Sequence, residues 1–243
     1  MEFLEFKQEL TSSLNRNSVE VDLSDDKIEK LYELTRIMLE VNASMNLTAI
    51  TEEKAIILKH YVDSLTVSKY IPKNAKIIDV GCGAGFPCLP LAIFRPDLDI
   101  TALDSTAKRI KYIDDTANKL NITNIHAVAA RAEEYGKKNE YRESFDIATA
   151  RAVAALPILS ELCLPFVKVG GAFVSMKASQ GEREAIDAKN AIKLCGGEIK
   201  TIDKLELLSD NTSESRTIIL VSKIASTPAK YPRHYSQISK KPL

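Results

Sequence analysis

The chain has 243 residues, with 33 basic against 33 acidic side chains, 45% hydrophobic residues and 27% charged ones. That length suits one sizeable α/β domain with an extension, and the balanced charge gives no argument from net charge for a nucleic-acid partner. The start, MEFLEFKQEL, is amphipathic and acidic, so it is not read as a secretory signal, and no run reaches the length of a bilayer span. Cys82, Cys88, Cys163 and Cys195 form no CxxC pair and no metal-ligand spacing with the three histidines. They read as reduced thiols of a cytoplasmic protein without a metal site.

Residues 1–70 lack strand signals and read as a helical extension. Within 25–41, Ile28, Leu31, Leu34, Ile37, Met38 and Val41 recur at helical spacing. The stretch 42–50, NASMNLTAI, is small and polar enough for a connecting loop. Thr51 is the expected N-cap of the next helix, with Glu52 and Glu53 in its first turn. That helix continues to about Lys69, and Pro72 closes it.

Residues 71–222 alternate between strand and helix patterns. Apolar runs at 76–80, 99–104, 125–129, 145–149 and 171–176 are separated by helical segments near 87–94, 106–120, 154–168 and 180–194. This alternation predicts a parallel sheet covered on both faces. Runs at 198–207 and 216–222 follow without a helix between them, joined by SDNTSES, and read as an antiparallel pair at the end of the sheet. The expected fold is α/β: a doubly wound, Rossmann-like, seven-stranded sheet, mostly parallel, with an antiparallel last strand. Residues 223–243 read as a basic tail: Lys223, Lys230, Arg233, Lys240 and Lys241 occur there without a carboxylate, and Tyr231 and Tyr235 interleave with them. A solvated tail and an arm that neutralises RNA phosphates both fit that composition.

The stretch 77–87, IIDVGCGAGFP, follows the first predicted strand and opens a helix. Glycines there let backbone approach a ligand closely. Asp104, at the end of the second strand, is placed to accept hydrogen bonds from ribose hydroxyls. A dinucleotide fingerprint requires G-x-G-x-x-G, but here Phe86 stands at the sixth position. The D-x-G-x-G-x-G pattern of Asp79, Gly81, Gly83 and Gly85 instead resembles the S-adenosylmethionine loop of class I methyltransferases. In that family the acidic position of Asp79 lies near the cationic methionine half, and Phe86 could pack over the cofactor.

The resemblance narrows further along the chain. NASMNLT at 42–48, His60 with Asp63-Ser64, DVGCGAGFP, ARAEEY, TARAV and AKYPR occur in one order across residues 28–234. Together they resemble the ribosomal RNA small subunit methyltransferase G family, also called glucose-inhibited division protein B. The resemblance implies methyl transfer from S-adenosylmethionine to N7 of a guanine in small-subunit ribosomal RNA, by a cytoplasmic monomer acting on the RNA or on the assembling small subunit. Implied cofactor residues are Asp79, Gly81, Gly83, Gly85, Phe86, Asp104 and Arg151, with Ala132 and Glu133 at the adenine edge. Arg151 and Arg131 would position the target guanine. Asn42, Asn46, Lys177, Lys230, Arg233, Lys240 and Lys241 would meet RNA, and no metal is implied.

The residues agree with N7 chemistry on their own terms. Guanine N7 carries a lone pair and no proton, so positioning suffices and no general base is needed. The fourth strand ends Thr149-Ala150-Arg151-Ala152, without the Asn/Asp-Pro-Pro-aromatic element of enzymes that methylate exocyclic amines. His60, Asp63 and Ser64 share a helix face at i, i+3 and i+4, where a hydrolase triad would need opposed geometry. His60 is expected instead in the interface between that helix and the cofactor domain. A small-molecule methyltransferase and a catalytically silent RNA-binding module stay open as rival readings.

Overall fold

In the computed structural model, which describes all 243 residues, the extension forms α1 (Phe3–Arg16) and α2 (Asp25–Met45). The predicted stripe of α2 is buried from Ile28 to Met38, and α1 adds Phe6, Leu10 and Leu14. Helix α2 runs through Asn42 to Met45, past the expected loop start, and stops at Asn46, whose φ of 49° is the left-handed conformation that asparagine tolerates at a helix end. The next helix is capped by Glu52 rather than Thr51. The Glu52 carboxylate accepts the N–H groups of Lys54 and Ala55 at 3.1 and 2.7 Å. This helix has an α start, α3 (Glu53–Ile56), a π-helical turn over Ile57–Val62, and an α end, α4 (Asp63–Leu65).

Seven strands follow: β1 (Lys76–Val80), β2 (Asp99–Asp104), β3 (Ile125–Ala129), β4 (Phe145–Arg151), β5 (Val167–Lys177), β6 (Gly197–Leu208) and β7 (Ser213–Lys223). Their order is β3-β2-β1-β4-β5-β7-β6. The first five pair in parallel, and β7 lies antiparallel to both β5 and β6. The expected mostly parallel sheet is present, with one refinement. The last strand does not extend the edge but fills the slot between β5 and β6.

The connecting helices are α5 (Cys88–Phe94), α6 (Ala107–Lys119), α7 (Ala132–Tyr135), α8 (Leu156–Cys163), α9 (Gly181–Asp187) and α10 (Lys189–Leu194). The helix expected over 154–168 ends at Cys163, because Pro165 cannot continue it and β5 begins at Val167. The helix expected over 180–194 divides at Ala188. One apolar core joins α1 and α2 to α5, α6 and one face of the sheet, so residues 1–70 share their interior with the strands. A second core, on the other face, is built around α8 and receives Tyr231 and Ile238.

That second core corrects the reading of 223–243 as a tail. Lys223 is buried, donating to the Leu164 carbonyl and the Thr227 hydroxyl and pairing with Glu143 at 3.0 Å. The chain ends in a helix of its own, α11 (Tyr235–Lys240). Arg233 straddles Glu161, which is fully buried on α8, with Nη2 to Oε2 at 2.6 Å and Nε to Oε1 at 2.9 Å. Arg233→Ala strands that carboxylate, and we expect a loss of about 3–5 kcal/mol. For a chain of this size the midpoint should fall by roughly 6–20 °C in a thermal melt. A melt unchanged within about 2 °C would show that the pair does not anchor the segment.

Candidate active site

Strand order reverses between β1 and β4, and ligands of doubly wound sheets bind outside the carboxyl ends of strands at such a switch point. A cavity of 1210 Å³ opens there. Its floor is the glycine loop after β1, its far wall comes from β2 and β3, and its near wall from β4, β5 and the π-helical turn.

The loop glycines divide the work. Gly81, Gly83 and Gly85 all have positive φ, at 75°, 58° and 89°. A Cβ on Gly83 would meet nothing nearer than a backbone oxygen at 3.9 Å, so this position opens onto the cavity. A Cβ on Gly81 would strike Val153 at 2.6 Å. Gly85 lies beneath the Leu89 side chain and does not line the cavity, so its place is helix packing rather than the predicted cofactor contact. Asp104 fixes the loop at 3.1 Å from the Gly83 N–H and accepts the Thr106 N–H at 2.8 Å.

Asp79 is also placed differently from the expectation. It is buried beneath the loop and outside the cavity wall, accepting the Cys88 N–H at 3.2 Å and the Thr149 hydroxyl at 3.1 Å. Burial pushes its carboxyl up to about 6. This acid joins the start of α5 to β4 beneath the loop.

At the other end of the cavity, Glu133 opens α7 beside Ala132. The residue is buried, yet its Oε1 has no hydrogen-bond partner. A buried acceptor left unpaired costs about 1–3 kcal/mol, and the amino group of a bound purine would supply the missing donor. Together with the open Gly83 position, this end of the cavity fits an adenosine moiety. Arg131, the residue before α7, is exposed on the rim.

Arg151 ends β4, and Ala152 turns the chain away with a φ of 55°. The π-helical turn offers the Lys59 carbonyl to Arg151 Nη1 at 2.8 Å, the kind of backbone rearrangement for which such turns are used. Asp63 takes Arg151 on one oxygen at 3.1 Å and Arg216 on the other at 3.3 Å. Arg216 also meets Glu214 at 3.0 Å, and Glu214 holds Lys59 at 2.5 Å. The result is one alternating chain, Lys59–Glu214–Arg216–Asp63–Arg151, assembled from α4, the π turn, β4 and β7. Lys177 pairs with Glu184 at 2.8 Å and donates to the Ala154 carbonyl, so it secures the loop after β4 rather than standing free.

His60 stacks on Phe86 with ring centroids 4.3 Å apart, which covers a face of the ring expected to pack on a cofactor. Its Nε2 lies 3.0 Å from the Thr48 hydroxyl and its Nδ1 3.4 Å from Arg151. Burial, and then the Arg151 charge, push this imidazole down to about 3. Because the folded value lies below the unfolded one near 6.5, the stability it contributes is complete above pH 6.5 and is lost as the pH falls. Asp79 has the opposite sign, since its raised value favours the folded form as the pH drops through 6. His60→Gln should therefore gain about 2 kcal/mol on the parent between pH 7 and pH 5, read from urea midpoints at each pH. An equal difference at both pH values would contradict a neutral, buried His60.

Several expected RNA contacts are otherwise engaged. Both ends of the Asn42 amide are used on the backbone of Thr48, at 3.0 and 2.9 Å, which holds the loop carrying Thr48 to His60. Arg233 is committed to Glu161. Asn46, Lys230, Lys240 and Lys241 are exposed but lie off the cavity wall. Lys59, Glu214 and Arg216 were not legible in the sequence. The only trace of Arg216 is a charged pair at the mouth of an otherwise apolar strand, SESRTIILV.

A family model described as rRNA small subunit methyltransferase G matches residues 27–212. The chain belongs to this family. Members of the family are S-adenosylmethionine-dependent methyltransferases. Curated relatives named ribosomal RNA small subunit methyltransferase G include that of Acetivibrio thermocellus, 45% identical over 92% of this chain and 91% of the relative. That of Alkaliphilus oremlandii is 43% identical over the whole of both chains. Among solved structures, M. jannaschii TYW2 in complex with AdoMet superposes with a TM-score of 0.51 at 13% identity, covering 84% of this chain and 80% of that one. A SAM dependent methyltransferase from Aquifex aeolicus gives 0.51 at 14% identity, covering 68% and 92%. These structural likenesses establish the methyltransferase fold. No helix is long and apolar enough to cross a membrane.

Proposed function

We propose that this member of the methyltransferase G family methylates N7 of a guanine in small-subunit ribosomal RNA. The observation that carries the N7 assignment is a cavity with no free base on its near wall. His60 is neutral and engaged at both nitrogens, Asp63 is taken by two guanidinium groups, and Glu184 is held by Lys177. Such a wall cannot remove a proton, and N7 has none to lose. When bound, S-adenosylmethionine supplies a methyl group on a sulfonium centre.

The rest falls to the chain's own residues. Gly81 and Gly83 admit the cofactor, Asp104 faces its ribose, and Ala132 and Glu133 meet its adenine. Arg151, whose guanidinium lies 5.4 Å from the centre of the Phe86 ring, fixes the plane of the guanine. Arg131, exposed on the rim, offers a cation to the flanking phosphates. We read it as a cytoplasmic monomer, with the free RNA or the assembling small subunit as substrate.

The test is methyl transfer from labelled S-adenosylmethionine to small-subunit RNA and to assembled particles, followed by borohydride reduction and aniline cleavage, which cuts RNA at N7-methylguanosine. Cleavage at one labelled site is the expected result. The single-turnover rate should stay flat between about pH 6.5 and 8.5. Label recovered on an exocyclic amine, or a rate rising tenfold per pH unit in that window, would overturn the reading.

A further inference from the structure

The segment after Lys223 is fixed at two points, and one aromatic residue lies between them. Arg233 grips Glu161 on α8, and Ile238 is fully buried in the core beneath that helix. Tyr235 stands at the first position of α11, 39% exposed, and lines the cavity. His234 holds the turn before it by accepting the Ser236 N–H on Nδ1.

The neighbours of Tyr235 on that wall are set by α8. Leu162, next to Glu161 on this helix, lines the same cavity. Helix α7, which carries Ala132 and Glu133, and helix α11 both pack against α8. Helix α8 therefore packs against both the helix that carries Ala132 and the orphaned Glu133 carboxylate and the helix that carries Tyr235, and adds Leu162 to the same cavity. A phosphate would be repelled by Glu133, and a bare sugar would leave the apolar surfaces unused. A flat base with an exocyclic amino group satisfies both the surfaces and the acceptor.

We propose that Tyr235 forms a wall of the adenine pocket, so that the C-terminal segment is part of the cofactor site. This rests on the S-adenosylmethionine reading of the cavity and adds to it a residue outside the glycine loop and the strand ends. Arg233, held on Glu161 two residues before Tyr235, then serves to seat it.

The experiment is calorimetry of S-adenosylhomocysteine with the parent protein, Tyr235→Ala and Tyr235→Phe, together with nuclear Overhauser contacts between ring-labelled tyrosine and the bound ligand. Tyr235→Ala should weaken binding about tenfold and Tyr235→Phe by less than about twofold, as base stacking on an aromatic ring requires. Contacts from a tyrosine ring to the adenine H2 or H8 proton should be present in the parent and absent in Tyr235→Ala. If the parent does not bind S-adenosylhomocysteine, the cofactor reading itself fails. If the parent binds and Tyr235→Ala binds equally well, or the contacts reach only the homocysteine protons, the assignment of Tyr235 is overturned. Loss of RNA affinity alone, with cofactor affinity intact, overturns it as well.

Discussion

Gly83→Arg should yield a folded protein that no longer binds S-adenosylmethionine. The position has a φ of 58°, so any side chain there costs about 1–2 kcal/mol of backbone strain. The new Cβ meets no side chain, and the arginine extends into the cavity that the cofactor needs. Affinity should fall at least about a hundredfold, ~3 kcal/mol, in calorimetry. The thermal midpoint should drop by only a few degrees, about 2–4 °C per kcal/mol for a chain of this size. Gly85→Ala is the contrast: its Cβ drives into Leu89, so stability should suffer first. Unchanged affinity in a folded Gly83→Arg protein would remove the cofactor from this loop.

Asp63→Ala should reduce the single-turnover rate on saturating RNA by about a hundredfold, the loss that an ångström of misplacement can cause. The carboxylate is buried at the cavity wall, where it bonds Arg151 on one oxygen and Arg216 on the other. Without it two neighbouring guanidinium groups repel, and Arg151 leaves the Lys59 carbonyl. Arg151→Ala should cost a similar factor, and the double variant little more than either single one, because both act through one position of one group. Effects that multiply in the double variant would show that Asp63 and Arg151 work independently.

What the sequence made legible, and what it hid, follows the range of the forces involved. Strand and helix alternation is a local pattern, so β1 to β5 and helices α5, α6 and α8 could be placed within a few residues, whereas α7, a single turn between β3 and β4, is too short to leave a periodic signal. The glycine loop was legible because close backbone approach needs a rare residue type at fixed spacing. The cation network was not. Lys59, Arg151 and Arg216 meet only after three distant segments converge on Asp63, and no periodicity marks a side chain whose partner lies 153 positions away. The C-terminal residues were misjudged for a related reason. Composition shows that residues 223–243 carry cations, but it cannot show that Glu161 is buried without a partner until Arg233 arrives. Asp79 was assigned to a ligand because families place an acid there, whereas the Cys88 N–H and the Thr149 hydroxyl already occupy it.

The place of β7 between β5 and β6 bears on the order in which the nascent chain can acquire its structure. In the finished sheet β6 lies two strand spacings from β5, about 9.5 Å, so without β7 it has nothing to bond to on either side. The edge of β5 waits in the same condition. Both edges are satisfied only when residues 213–223 emerge and drop into the gap, bringing Arg216 to Asp63 in the same event. The sheet therefore closes only when residues 213–223 are available, and a chain cut before residue 213 displays two open β-edges to its surroundings. A chain truncated after β6 should therefore be held by chaperones or aggregate where the full chain does neither, which comparing the two forms in one expression experiment measures.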